Sequence, residues 1–140
     1  LHEQVLLAAE YYGYKAWYEH NSDDYLSYFR DRGRVAYLGT YPLSAIDPTK
    51  RETQERFKGF PTTPFSLTKQ TDTGIMYFEN HIDAIDFPNL LEDAKKFDPN
   101  NRTDFDQTVS FLMLIVCLME PVPQQVKREP LVKSYVPSLQ

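Results

Sequence analysis

The chain has 140 residues, 41% of them hydrophobic, 25% charged and 14% aromatic. That is the length of one globular domain at close to average soluble composition, and it excludes a collagen-like repeat, a disulfide scaffold and a wholly disordered chain. Net charge is −5, which argues against a protein that coats nucleic acid by charge alone.

The charge is uneven. Lys50, Arg51, Arg56, Lys58 and Lys69 give the stretch from Lys50 to Lys69 a net +3, whereas Glu79 to Asp106 carries −5. Ten Tyr, nine Phe and one Trp can bury enough area for a core without a stabilising metal or disulfide. The single cysteine, Cys117, offers no intramolecular bridge. The longest apolar run, Phe111 to Met119, is about half of the roughly 20 residues that a membrane span needs. Leu1-His2-Glu3-Gln4 lacks the marks of a secretory leader and does not begin with Met, so the chain reads as a piece of something longer.

In chain order, Val5, Leu6, Ala8, Ala9 and Tyr12 predict a helix over Glu3 to Tyr12, stopped by Gly13. Tyr14 to His20 reads as an aromatic strand, Asp24 to Asp31 as a helix ended near Gly33, and Arg34 to Leu38 as a second strand. This alternation favours an α/β arrangement with parallel strands. Thr40 to Thr68, with Pro42, Pro48, Pro61 and Pro64, reads as a long ordered loop in which only Glu52 to Phe57 favours a helix. Helices are then expected over Asp72 to Ile82, from Pro88 through Ala94, and from about Asp104 to Met119. Residues 120–140, punctuated by four prolines, read as an extended or disordered tail beyond a domain over residues 1–119.

Two acids stand out. Glu19 ends an aromatic strand, and ligands gather at the carboxyl ends of parallel strands. Asp106 begins the most apolar helix, with Asp104 two residues before it. For an arbitrary sequence the ordinary readings are a solvated strand-end glutamate and a carboxylate that complements a helix dipole. As a facing pair, the two could instead hold divalent ions, since Mg²⁺ takes oxygen ligands and completes its shell with water and phosphate. The three histidines are scattered, and no zinc pattern, Walker motif or nucleophile elbow is present in the sequence.

Gly13-Tyr14-Lys15-Ala16-Trp17-Tyr18-Glu19-His20-Asn21 resembles the acid-ended strand of phage large terminase subunits. Asp24 to Leu38 keeps that family's next helix and strand. Gly59-Phe60-Pro61-Thr62-Thr63 through Lys69 is similar to its Gly, Thr and Lys segment. Asp72 to Phe97 is similar to its helix, short extended piece and second helix, and Arg102 to Val109 to its terminal acid-bearing helix. The resemblance covers about Glu3 to Leu118.

It implies a ribonuclease-H-like nuclease domain, an α/β mixed sheet flanked by helices, that cuts concatemeric double-stranded DNA during packaging. Glu19 and Asp106 would take the positions of catalytic, metal-binding acids, with Asp104 a further ligand or an outer neighbour, since Gln107 follows Asp106 where the family often pairs two acids. Two Mg²⁺ or Mn²⁺ ions would be the cofactors. Lys50, Arg51, Arg56, Lys58 and Lys69 would contact DNA, with Lys69 matching a basic residue near it. Partners would be an ATPase domain, a portal and a small terminase subunit, in the cytoplasm of a bacterial host and not at a membrane.

The family's acidic set begins with an Asp on an earlier strand that has no match here, so this piece alone is expected to be inactive. The rival reading is a non-catalytic DNA- or protein-binding module. Both readings leave the tail outside the core: deleting residues 121–140 should leave the melting temperature nearly unchanged in differential scanning calorimetry, and a large drop would show that the tail docks on the body.

Overall fold

The computed structural model of the chain describes residues 1–121, 125 and 126. Among them the helices are α1 (His2–Tyr12), α2 (Asp24–Asp31), α3 (Arg51–Gln54), α4 (Pro64–His81), α5 (Pro88–Lys96) and α6 (Asp106–Leu118). Single 3₁₀ turns sit at Val35–Tyr37, Leu43–Ala45, Pro48–Lys50, Ile82–Ala84 and Arg102–Asp104.

Local chemistry sets most of these bounds. Gly13 closes α1 in the left-handed conformation, φ 71°, and its N–H donates to Ala9. At the start of α4, Thr63 Oγ1 accepts from the Ser66 N–H while the Ser66 hydroxyl accepts from the Thr63 N–H. Pro64 fills the first helical position, where a missing N–H costs nothing. So α4 begins eight residues before the expected Asp72: Pro61 and Pro64 look like breakers in sequence, yet one precedes the cap and the other opens the helix. α6 has no side-chain cap of its own. Asp93 of α5 supplies one, accepting from the Thr108 N–H at 2.9 Å and the Thr108 hydroxyl at 2.7 Å, which satisfies a first-turn donor across two helices.

The expected α/β mixed sheet does not form. Among the described residues there is no strand, only isolated bridges: Ala16 with Leu38, Glu19 with Phe60, Thr40 with Lys58 and Tyr14 with Gln125. The fold is therefore helical and is not ribonuclease-H-like. The physical reason lies in the partners of residues 14–20. This segment divides its pairing among three others, one bridge each, so no ladder can lengthen. Residues 35–37 curl into a 3₁₀ turn instead of a second strand. Pro42 and Pro61 then follow the bridged positions, and proline has no N–H to extend a ladder. The stretch expected as a long loop carries two 3₁₀ turns, α3 and the start of α4.

Two apolar clusters flank residues 14–20. On one side Ala45, Phe60, Val109, Met113, Val116 and Cys117 pack together with Trp17 and Phe97. On the other, Leu6, Tyr18, Phe29 and Leu38 pack with Tyr25, Leu26 and Tyr37. Of the expected tail, Glu120 accepts from the Ser44 N–H and hydroxyl, and the Val126 N–H donates to Gly13. Residues 122–124 and 127–140 lie outside the described residues.

Gly39 shows how tightly the segments cross. Its N–H donates to Ala16, its carbonyl accepts from Gly59, and a Cβ there would overlap the Trp17 indole. Gly33, at φ 64°, has open space around its missing Cβ. Gly39→Ala should therefore destabilise by about 1–3 kcal/mol through overpacking, and Gly33→Ala by about 1 kcal/mol through backbone strain alone. Urea unfolding midpoints of the two variants check the order.

Candidate functional site

Successive side chains of residues 17–20 leave in alternate directions. Trp17 enters the cluster built on α6 and Tyr18 enters the opposite one. The backbone at this point is pinned, because the Phe60 N–H donates to Tyr18 at 2.7 Å and the His20 N–H donates to Phe60 at 2.9 Å.

Glu19 and Asp106, 87 residues apart in sequence, line one cavity of about 360 Å³. Asp24, the first residue of α2, lines it as well, together with Asn21, Ser22 and Ser110. Trp17, Val109 and Met113 give it an apolar wall. Asp106 is exposed at the first position of α6, where the helix dipole favours an anion. Ser22 donates to Asp24 at 3.1 Å, whereas Glu19 and Asp106 make no side-chain hydrogen bond or ion pair among the described residues. Hard oxygen donors at a polar mouth over an apolar wall are suited to a divalent cation that keeps part of its water shell. Among the described residues, however, no group of three or more His, Cys, Asp or Glu side chains is arranged to hold a metal ion by itself.

Asp104 lies elsewhere: exposed in the 3₁₀ turn before α6, it accepts from Asn101 at 2.7 Å and does not line this cavity. The five basic residues are not brought together. Lys58 is half-buried and donates to the Leu38 carbonyl at 3.0 Å; burial, then the nearby Lys15, pushes its pKa down. Arg56 lines a cavity with Lys15, Glu55 and Glu120, while Arg51 and Lys69 line another with Ser44 and Glu120. Lys50 is exposed beside α3. None of the five lines the Glu19–Asp106 cavity.

Sequence reasoning missed several features. Asp24 looks like one of several capping acids around residues 21–24. His20 lies between Asp23 and Tyr41, its Nε2 3.2 Å from Asp23 Oδ1 and its Nδ1 2.5 Å from the Tyr41 hydroxyl. The Tyr18 hydroxyl is buried with no hydrogen-bond partner among the described residues. Arg102 donates to the Oε1 of Gln70, which is 1% exposed. A larger and mainly apolar cleft of about 550 Å³ lies between α4, α5 and α6, walled by Ile75, Phe78, Leu91 and Leu112.

No family model matches the chain, and no curated protein or solved structure matches it. Among the described residues no helix is long and apolar enough to cross a membrane.

The Tyr41 phenol carries a testable pH dependence. Burial, then the neighbouring Tyr18 and Asp23, raises its pKa from 10.0 to about 12. The folded chain therefore holds this proton after the unfolded chain has lost it. The corresponding stability is complete below about pH 10 and is lost as pH rises towards about 12. Urea midpoints measured across that range should fall for the parent and fall less for Tyr41→Phe.

Proposed function

We propose that the chain supplies Glu19 and Asp106 to a divalent-metal-dependent endonuclease that cuts double-stranded DNA, as part of a phage packaging terminase acting in the bacterial cytoplasm. The observation that carries this reading is the cavity that both acids line. The terminase assignment rests on the sequence resemblance around these same residues.

Bound Mg²⁺ or Mn²⁺ would polarise a phosphodiester and make water a stronger nucleophile at neutral pH. The chain's own residues do the rest. Glu19 and Asp106 offer anionic oxygens from two elements, which fixes where a cation can sit. Asp24 adds negative charge at the same mouth. Ser110 and Asn21 offer hydrogen bonds to water or to phosphate oxygens. The wall of Trp17, Val109 and Met113 lowers the local dielectric and strengthens each of these interactions.

A second reading, a non-catalytic DNA- or protein-binding module, draws on the apolar cleft between α4, α5 and α6 and on the scatter of the basic residues. Electron paramagnetic resonance of added Mn²⁺ and plasmid cleavage separate the two, both measured on a chain extended upstream to supply the family's first acid-bearing segment. Glu19→Gln and Asp106→Asn should each weaken Mn²⁺ binding and lower cleavage by about two orders of magnitude, with DNA affinity kept. Mn²⁺ binding and cutting that are unchanged in both variants would sink the metal-site reading. Metal binding without cutting by any form would favour the binding module.

A further inference from the structure

A second cavity, of about 320 Å³, adjoins the acidic one, and Trp17 walls both. Residues 14–20 are held by isolated bridges and not by a helix, and in extended chain every second side chain leaves the same face. Lys15 and Trp17 line the second cavity, while Trp17 and Glu19 line the acidic one. A cation, an aromatic ring and an acid therefore follow one another along one backbone segment. At most about 14 Å of extended backbone separates Lys15 from Glu19.

Arg56, two residues beyond α3, brings a second cation into the cavity of Lys15. Neither cation lies within ion-pair distance of a carboxylate among the described residues. Two carboxylates do line this cavity. Glu120 is engaged by Ser44, whose N–H and hydroxyl donate to it at 3.0 Å and 2.6 Å, and Glu55 is exposed. Lys15 is half-buried and, after burial itself, is the cause that pushes the Lys58 pKa down, so two ammonium groups repel each other here. An anion seated between Lys15 and Arg56 relieves that repulsion. The rings of Trp17 and Tyr41 add an aromatic surface to the same cavity, suited to the sugar or base that a phosphate carries.

We propose that the cavity of Lys15 and Arg56 is a phosphate subsite for the DNA strand cut at Glu19 and Asp106, reached across Trp17. This rests on the nuclease reading and names a part of the substrate that the acidic cavity does not itself hold. At 3.4 Å of rise per nucleotide, the separation places the held phosphate within about four nucleotides of the cut bond. It lies on one side of that bond, as the cavity lies on one side of Glu19.

The test has two readouts. In the first, fluorescence anisotropy follows a labelled duplex in EDTA over a range of NaCl concentrations. Lys15→Met and Arg56→Gln should each reduce the slope of log affinity against log salt by about one, and together by about two. Lys50→Met, at a lysine that lines neither cavity, should leave the slope unchanged. In the second, the chain extended upstream cuts an end-labelled duplex that carries a short run of neutral methylphosphonate linkages in one strand. On a denaturing gel the parent should leave a gap of about four uncut bonds on one side of the run. The double variant should cut evenly up to the run. Arg56 is exposed, so Arg56→Gln decides alone if Lys15→Met fails to fold. Parent-like slopes in Lys15→Met and Arg56→Gln, alongside lost Mn²⁺ binding in Glu19→Gln, overturn the subsite and leave the metal site standing. Reduced slopes with the same gap in parent and double variant put the contact away from the cut bond and overturn the placement. Unchanged Mn²⁺ binding in Glu19→Gln and Asp106→Asn overturns the metal site and the placement beside it. A melting-temperature rise with inorganic phosphate that the double variant abolishes, while DNA affinity stays, assigns the cavity to free phosphate and overturns the strand contact.

Discussion

Side chains are missing at two places where the backbone comes closest to itself, Gly39 and Gly59. At Gly39 the Trp17 indole occupies the space a Cβ would need, and its Nε1 donates to the adjacent Thr40 carbonyl at 3.0 Å. At Gly59, with φ 95°, a Cβ would stand 2.9 Å from the Tyr18 carbonyl oxygen and 3.1 Å from the Tyr18 ring. These two approaches let residues 14–20, 37–41 and 57–60 exchange backbone hydrogen bonds in place of a sheet. Glu19 is fixed by that crossing and not by a helix or a ladder. Its neighbours Trp17 and Tyr18 anchor it from opposite sides, one in each apolar cluster.

α6 is the other half of the arrangement. Its buried residues Val109, Leu112, Met113, Ile115, Val116 and Cys117 give it an apolar face that α4, α5 and Trp17 cover. Its first turn is polar and is served by other elements: Asp93 caps Thr108, and Arg102 just upstream is tied to Gln70. The result is a helix whose body is buried and whose first residue, Asp106, stands at the mouth of a cavity. The burial that holds the helix therefore also aims its terminal carboxylate.

Much of the helical part was legible in the sequence. α2 has the predicted bounds, and Pro88 opens α5 as expected, because Asp, Gly and Pro act within one turn of where they stand. The sheet was not legible. Alternation of Trp17, Tyr18, Glu19 and His20 marks a segment with two faces, and those faces exist, yet pairing depends on Pro42, Pro61 and the curl at 35–37. Glu19 and Asp106 line one cavity, and the sequence already placed both acids outside an apolar interior. Arg102 could not be picked out, since the amide that orients it lies 32 residues away. The five basic residues form a group only along the chain. Once folded, Lys58 is bound to a backbone carbonyl and Lys69 lines a different cavity with Arg51 and Glu120.

The chain has one tryptophan, and Trp17 stands between two cavities, walling the acidic one on one side and the Lys15–Tyr41 one on the other. Its indole emission is therefore an intrinsic local gauge, free of competing tryptophan signal. A paramagnetic ion held by Glu19 and Asp106 would quench it from one direction. Loosening of the Thr40 hydrogen bond would shift its colour from the other. The protein thus carries its own optical label at the point where its backbone crossing meets its acidic cavity.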